Sequence, residues 1–332
     1  MLNIDEAKIF SEIESRNPKA VVLNSASGII RLTHDLAQRI NEKYSIPAIV
    51  IGEPSYGICD TVDQDAARLG ADIAFHIGHT VSVGRMGTRT ILIDAFDDVS
   101  FEEVLGIAIQ TLKSYRSIGL CTDSQYLNAL PIAKSFFEKA GFRAVVGRGR
   151  GLLTEGQVFG CEFYPAFDIR EEVDAFVFLG QSRFHSLGIA LSTAKPTYML
   201  DPYFQEVFDM KEEADKLYKK SVFSVYQALD AQRFAVIINL KEGQMDTMRA
   251  KKFESKLRQR GKKVSLLAMR EITNDKLNQF KDVDAFIQTA CPRISIDDHF
   301  DRPVLSVPQA DALIDLLDGK KVESLLERRH WL

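Results

Sequence analysis

The chain has 332 residues, 45% of them hydrophobic and 27% charged, with a formal net charge of −4. That length suits two or three domains of ordinary size, and the absence of a basic field argues against direct nucleic-acid binding. The opening MLNIDEAKIFSEIESRN is acidic and polar, unlike a signal or transit peptide, and no apolar run approaches the ~20 residues of a membrane helix, so a cytoplasmic protein without membrane contact is expected.

Short β-rich apolar runs alternate with longer helical patterns, the signature of βαβ units and parallel sheets. In a first segment Ala20–Asn24 reads as a strand, and Ile29, Thr33, Leu36 and Ile40 recur at helical spacing through GIIRLTHDLAQRINEKY. Strand Pro47–Glu53, a loop carrying Cys59, a short helix over TVDQDAARLG, strand Asp72–His79 and strand Thr90–Phe96 complete it. A second segment runs strand Ser117–Asp123, helix LNALPIAKSFFEKAG, strand Arg143–Gly147, a Gly-rich loop to Cys161, then strands Val173–Gly180 and Thr197–Leu200. The third opens on the helix KEEADKLYKKSVFSVYQALD and places strands at Phe234–Leu240, Lys263–Met269, Val283–Cys291 and Pro303–Val307. The expected fold is α/β: three related small domains, each a parallel sheet flanked by helices, over 1–110, 111–205 and 206–332, arranged around a central site. ADIAFHIGHT, VDAFVFLGQS and VDAFIQTACP align as a weak internal repeat, each with an Asp at the strand entrance and small or polar residues at its carboxyl end.

Four cysteines in an intracellular chain of this size read as thiols or metal ligands, not as a disulfide framework. Cys59 in GEPSYGICD, Cys161 in EGQVFGCEF and Cys291 in FIQTACPRISID each fall just past a predicted buried strand. That is the carboxyl edge at which open parallel sheets bind ligands. They lie about 100 or more residues apart, so no local loop holds them together. Thiolates are soft ligands suited to zinc or iron–sulfur clusters. Three of them converging on a [4Fe–4S] cluster would leave one iron open for chemistry. The alternative is three unrelated buried cysteines, since free cysteine is among the most buried residue types. Glycines in the Cys59 and Cys161 loops, and Pro292 ending the strand at Cys291, favour exposure to a site. Cys59 and Cys161 follow the second strand of their units, whereas Cys291 follows the third. Cys121, inside the SIGLCTD strand, reads as a packing residue.

His76, His79 and His185 are placed at strand ends, as structural residues or as contacts to a ligand. Gln181 and Arg183 share the His185 loop, where Arg183 is suited to a carboxylate or to a surface salt bridge. The basic stretch Gly147–Gly151 gives G-x-G-x-G after a strand, but LLTEGQVFG follows in place of the helix start a dinucleotide site needs. A flexible surface or lid loop is expected there. MKEEADKLYKK and RAKKFESKLRQRGKK read as solvated helix faces with basic residues available to a protein partner. Trp331, in the tail ESLLERRHWL, is a candidate oligomer contact.

GEPSYGICD, ADIAFHIGH, TEGQVFGC, LGQSRFHSLGIAL and ACPRISIDD, in this order between about residues 20 and 310, resemble the archaeal diphthamide biosynthesis enzymes, the 2-(3-amino-3-carboxypropyl)histidine synthase family. The resemblance implies three domains that each donate one cysteine, here Cys59, Cys161 and Cys291, to a [4Fe–4S] cluster. Cys121 stands where the family usually carries an apolar residue. The resemblance further implies a radical transfer of the 3-amino-3-carboxypropyl group of S-adenosylmethionine to carbon 2 of one histidine of translation elongation factor 2, leaving methylthioadenosine. It also implies a homodimer and an electron donor. Gln181, Arg183, His185 and His79 are the candidate contacts to S-adenosylmethionine. Phe184-His185-Ser186 departs from the FHP common in the family, and the basic Gly147–Gly151 loop is unusual. The closely spaced CxxxCxxC of ordinary radical enzymes of this cofactor class is absent from the sequence, consistent with cleavage of a different bond. Two other readings remain. Quinolinate synthase also has three α/β domains with one cysteine each, but uses its open iron as a Lewis acid on small metabolites. A non-enzymatic α/β ligand-binding protein would carry incidental thiols and no iron.

Overall fold

The structure, a computed structural model, describes residues 2–320; Trp331 lies outside the described residues. The α/β class expected from the sequence is the class observed, with parallel-containing sheets flanked by helices. The chain forms two compact units. Among the described residues, one comprises those up to Val158 with 164–181 and 199–208, the other 159–163, 182–198 and those from Asp209 onward.

In the first unit, strands Ala48–Val50, Val21–Ser25, Ile73–Ile77 and Thr90–Ile93 lie side by side in parallel, and Arg85–Met86 closes the edge antiparallel. Val21–Ser25 and Ile73–Ile77 are buried at every position. Such unbroken burial belongs to central parallel strands covered on both faces. Helix Ile30–Tyr44 turns Thr33, Leu36, Ala37 and Ile40 inward at the spacing read from the sequence. Its apolar face joins Ile9 and Ile13 of helix Glu6–Arg16 in one core, and Val22 and Ala74 pack with Val62 and Ala66 in another. A second sheet orders its strands Glu206–Asp209, Thr197–Asp201, Ala175–Leu179, Ser117–Thr122 and Arg143–Val146. Ala175–Leu179, Ser117–Thr122 and Arg143–Val146 run parallel. In the second unit, Lys263–Met269, Arg233–Asn239, Ala285–Gln288 and Val304–Leu305 form a wholly parallel sheet between two apolar cores.

The aligned aspartates have one structural job in all three sheets. Asp72 accepts the backbone N–H of Lys19 at 2.6 Å, Asp174 those of Arg116 and Ser117 at 2.9 Å each, and Asp284 those of Gln232 and Arg233 at 2.9 and 2.7 Å. Each carboxylate thus satisfies donors where the neighbouring central strand begins, which would otherwise be left unpaired.

Several elements differ from expectation. Asp72–His79 narrows to Ile73–Ile77, because Gly78 and His79 adopt positive φ of 82° and 54° and turn the chain out of the sheet. His76 is therefore inside a strand, not at its end. Val283–Cys291 narrows to Ala285–Gln288, and Pro292 opens the helix Pro292–Asp297; proline is favoured at a helix's first position. Helices Glu6–Arg16, Glu102–Leu112, Arg183–Thr193 and Val307–Leu317 were not expected from the sequence pattern. Arg183 and His185 thus stand on the first turn of a helix, not on a loop, with Ser182 as N-cap accepting from His185 N at 3.3 Å.

Candidate metal centre

The Cys59 turn is fastened to the carboxyl end of a central strand. Ile51 N donates to Leu23 O at 2.9 Å and Ser55 N to Ser25 O at 2.8 Å, carrying the chain across the end of Val21–Ser25. The Ser55 hydroxyl reaches the carbonyls of Gly57 and Asp60 at 3.1 and 3.3 Å, and Asp60 N closes onto Gly57 O at 2.9 Å. Cys59 sits inside this closed turn, partly exposed.

The approach to Cys161 follows the end of the second sheet. Thr122 N donates to Gly156 O and Val158 N to Thr122 O, both at 2.9 Å, so residues 156–158 extend the end of strand Ser117–Thr122. Fully buried Gln157 donates from Nε2 to Thr80 O at 2.7 Å. Three residues after Val158 comes Cys161, exposed, in a turn closed by Phe159 N to Glu162 O at 2.9 Å.

Cys291 is partly exposed and is the N-cap residue of helix Pro292–Asp297. Buried Gln288, the last residue of its strand, holds the carbonyl of Cys291 at 2.9 Å and Ser295 Oγ at 3.0 Å through Nε2, and accepts from Ala290 N at 2.8 Å. Its amide is fully used in shaping the turn on which Cys291 stands.

Cys121 behaves otherwise. It is 0% exposed, and burial pushes its thiol up to about 12, so it stays protonated and inert as a ligand. Three thiols that reach solvent from loops past the carboxyl ends of strands, beside one sealed in the core, have the access and softness an iron–sulfur cluster requires. Among the described residues no three His, Cys, Asp or Glu side chains are grouped as a site for a single metal ion.

The other candidate residues fall into separate settings. Gln181 Nε2 donates to both carboxylate oxygens of Asp201 at 3.2 Å, and Asp201 Oδ1 also takes Tyr203 N at 2.8 Å and Phe204 N at 3.1 Å. Half-exposed Arg183 is ion-paired with Glu213. His185 Nδ1 lies 2.7 Å from the hydroxyl of its cap, Ser182. His79 packs its ring 5.5 Å from that of His76. Burial lowers His76 to about 3 and His79 to about 4, the latter opposed by the nearby Asp60 carboxylate. Both imidazoles are therefore neutral at physiological pH. In the basic loop Arg148 is committed to Asp168 through Nε at 3.0 Å and Nη2 at 2.7 Å, and the segment after Gly151 continues through turns, not a helix. Arg148 thus ties the start of that loop to Asp168. Sequence reasoning gave no role to Asn24, Phe184 or Arg293: Asn24 stood only as a strand end, Phe184 only in the segment Phe184-His185-Ser186, and Arg293 only as a letter inside a quoted motif.

These features define an α/β protein of parallel sheets that presents thiols on loops past the carboxyl edges of its strands. The chain belongs to the diphthamide synthesis family, described as "Putative diphthamide synthesis protein", which matches residues 26–323. It is 31% identical to the 2-(3-amino-3-carboxypropyl)histidine synthase of Pyrococcus horikoshii, over 97% of this chain and 94% of that one. It is 26% identical to the 2-(3-amino-3-carboxypropyl)histidine synthase subunit 1 of Schizosaccharomyces pombe, over 96% of this chain and 75% of the relative. Its fold is similar to the crystal structure of Dph2 from Pyrococcus horikoshii with a 4Fe-4S cluster, with a TM-score of 0.86 and 31% identity over 95% of this chain and 92% of that one.

Proposed function

We propose that this chain is a 2-(3-amino-3-carboxypropyl)histidine synthase. It transfers the 3-amino-3-carboxypropyl group of S-adenosylmethionine to carbon 2 of a histidine of translation elongation factor 2, the first step of diphthamide biosynthesis, by a radical mechanism. The observation that carries this reading is the relation, over nearly the whole of both chains, to a relative bearing that activity in its name. Cys59, Cys161 and Cys291 hold a [4Fe–4S] cluster, one from each of the domains 1–110, 111–205 and 206–332. When bound, that cluster supplies one electron to the sulfonium and a site on iron for it.

The chain's own residues then have to orient one of three similar carbon–sulfur bonds, an effect of positioning. Gln181, Arg183, His185 and His79 are the proposed contacts to S-adenosylmethionine. Arg183 offers a planar fork to the substrate carboxylate by exchange with Glu213. Neutral His79 presents no positive charge to repel the sulfonium. A homodimer, a separate electron donor and a cytoplasmic location belong to the same reading; among the described residues no helix is long and apolar enough to cross a membrane.

The test is an anaerobic reaction of the reconstituted protein with dithionite, S-adenosylmethionine and elongation factor 2. The expected products are methylthioadenosine and a factor modified on one histidine. Formation of 5′-deoxyadenosine as the main product would overturn the proposed bond cleavage. An inert, fully iron-loaded protein would overturn the activity.

A further inference from the structure

Within the second unit, both of its thiol-bearing loops are anchored to the same helix, Arg183–Thr193. The Cys161 loop docks at two points. A Cβ on Gly160 would lie 1.8 Å from Phe184 Cε1, so only glycine lets the backbone come this close to the ring. Two residues past Cys161, the buried Phe163 ring packs where a Cβ on Gly188 would be 2.1 Å from its Cζ.

The Cys291 side reaches the same helix through Arg293. This side chain is 3% exposed. Its guanidinium carbon lies 3.8 Å from the Phe184 ring centroid, and Nη1 donates to Phe184 O at 2.6 Å. Nε and Nη2 grip Asp297 at 2.8 and 2.9 Å. At the other end of the short helix, Lys220 Nζ donates to the carbonyls of Ile296 and Asp298 at 2.9 and 2.6 Å. The helix that Cys291 caps is thus held at both ends, and the Phe184 ring lies against Gly160 on one loop and Arg293 on the other. A buried guanidinium must have its donors satisfied and its charge paired; Asp297 supplies the charge, but Phe184 supplies the face and the carbonyl. Lysine cannot reproduce this fork and stack together.

We propose that Arg293 and Phe184 are a positioning pair that sets the Cys161 and Cys291 loops on one platform, so that the placement of two cluster ligands is coupled through one side-chain contact. This rests on the reading of Cys161 and Cys291 as ligands. A residue that orients a ligand from behind typically changes metal retention about 10- to 100-fold when altered.

The experiment compares Arg293→Lys, Phe184→Leu, their double variant and Phe184→Tyr with the unaltered chain. After anaerobic reconstitution, iron release to a chelator is timed and the reduced cluster's electron paramagnetic resonance spectrum recorded. The apoprotein melting temperature and the alkylation rate of each thiol are measured alongside. Arg293→Lys and Phe184→Leu are expected to release iron about tenfold faster with an altered spectrum, and the double variant no faster than either single one. Phe184→Tyr, which keeps the ring, is expected to match the unaltered chain. In the apoprotein, alkylation of Cys161 and Cys291 should change together while that of Cys59 does not.

Unchanged release and unchanged alkylation in well-folded Arg293→Lys and Phe184→Leu would overturn the positioning role. So would multiplicative effects in the double variant. Cys161→Ala and Cys291→Ala separate the two readings: if they load iron fully, the ligand assignment fails, and the alkylation rates alone then decide whether the pair couples the two loops. If Arg293→Lys does not fold, Phe184→Leu against Phe184→Tyr carries the same comparison.

Discussion

His76 Nδ1 lies 2.8 Å from Asn24 Oδ1, and the two residues are register partners on adjacent parallel strands. With Asn24 as acceptor, the ring carries its proton on Nδ1, and Nε2 is left buried without a hydrogen-bond partner. His76 is 0% exposed, and burial lowers it from 6.5 to about 3. The unfolded chain therefore binds a proton below pH 6.5 that the folded chain refuses until near pH 3. Stability contributed by the neutral ring is complete above pH 6.5 and falls as the pH drops below it. The loss from His76 at pH 5 is about 2 kcal/mol. His79, lowered by burial to about 4, adds a loss in the same direction. Urea melts at pH 7 and pH 5 should show His76→Gln losing about 2 kcal/mol less than the unaltered chain between the two conditions. An equal loss in both would mean that another group sets the acid sensitivity.

Gly160 approaches the Phe184 ring more closely than any side chain permits. Gly160→Ala is expected to cost about 1–3 kcal/mol through overpacking. Adding Phe184→Leu, which removes the edge that collides, should recover a large part of that stability. Thermal or urea melts of the two variants decide it, and a double variant less stable than Gly160→Ala alone would place the clash elsewhere.

The central strands were legible because parallel strands covered on both faces are written as unbroken apolar runs, as in AVVLN and VDAFVFL. The repeated Asp was legible too, since Asp72, Asp174 and Asp284 stand at one place in the pattern and accept from the same kind of donor. Helix Arg183–Thr193 was not. Its sequence RFHSLGIALST is poor in strong helix formers, and Gly188 is there to admit Phe163, a tertiary demand that overrides propensity. Arg293 was equally silent: its partner Phe184 lies 109 positions away in sequence, and no local pattern reports a contact of that range. The placement of thiols beyond strand ends followed from topology, because the carboxyl edge of a parallel sheet is where loops open.

Asp284 accepts the backbone N–H of both Gln232 and Arg233, and these bonds lower its carboxyl below the usual range. Asp284→Ala leaves two strand-entrance donors without that acceptor and is expected to cost about 1–3 kcal/mol. Asp284→Asn, which keeps an acceptor oxygen, should cost less. Because the folded carboxyl is lowered, its contribution is present above the unfolded value and is lost as the pH falls through the folded one. Denaturant melts at neutral pH rank the three chains, and Asn as damaging as Ala would show that charge, not the hydrogen bonds, is what matters.

The four cysteines divide by environment, and the division predicts a pattern of iron content. Cys59→Ala, Cys161→Ala and Cys291→Ala each remove a thiol that reaches solvent from a loop, and each should lower iron and sulfide after anaerobic reconstitution to well under half of the unaltered level. Cys121→Ala removes a sulfur sealed at 0% exposure among Ser117–Thr122 and its neighbours. It should cost about 1 kcal/mol as a small core cavity while leaving iron per folded chain unchanged. The contrast matters more than any single value: a general loss of folding would depress iron in all four, whereas ligand loss depresses it in three. Equal loading across the four variants would remove the cysteines as the basis of the metal centre.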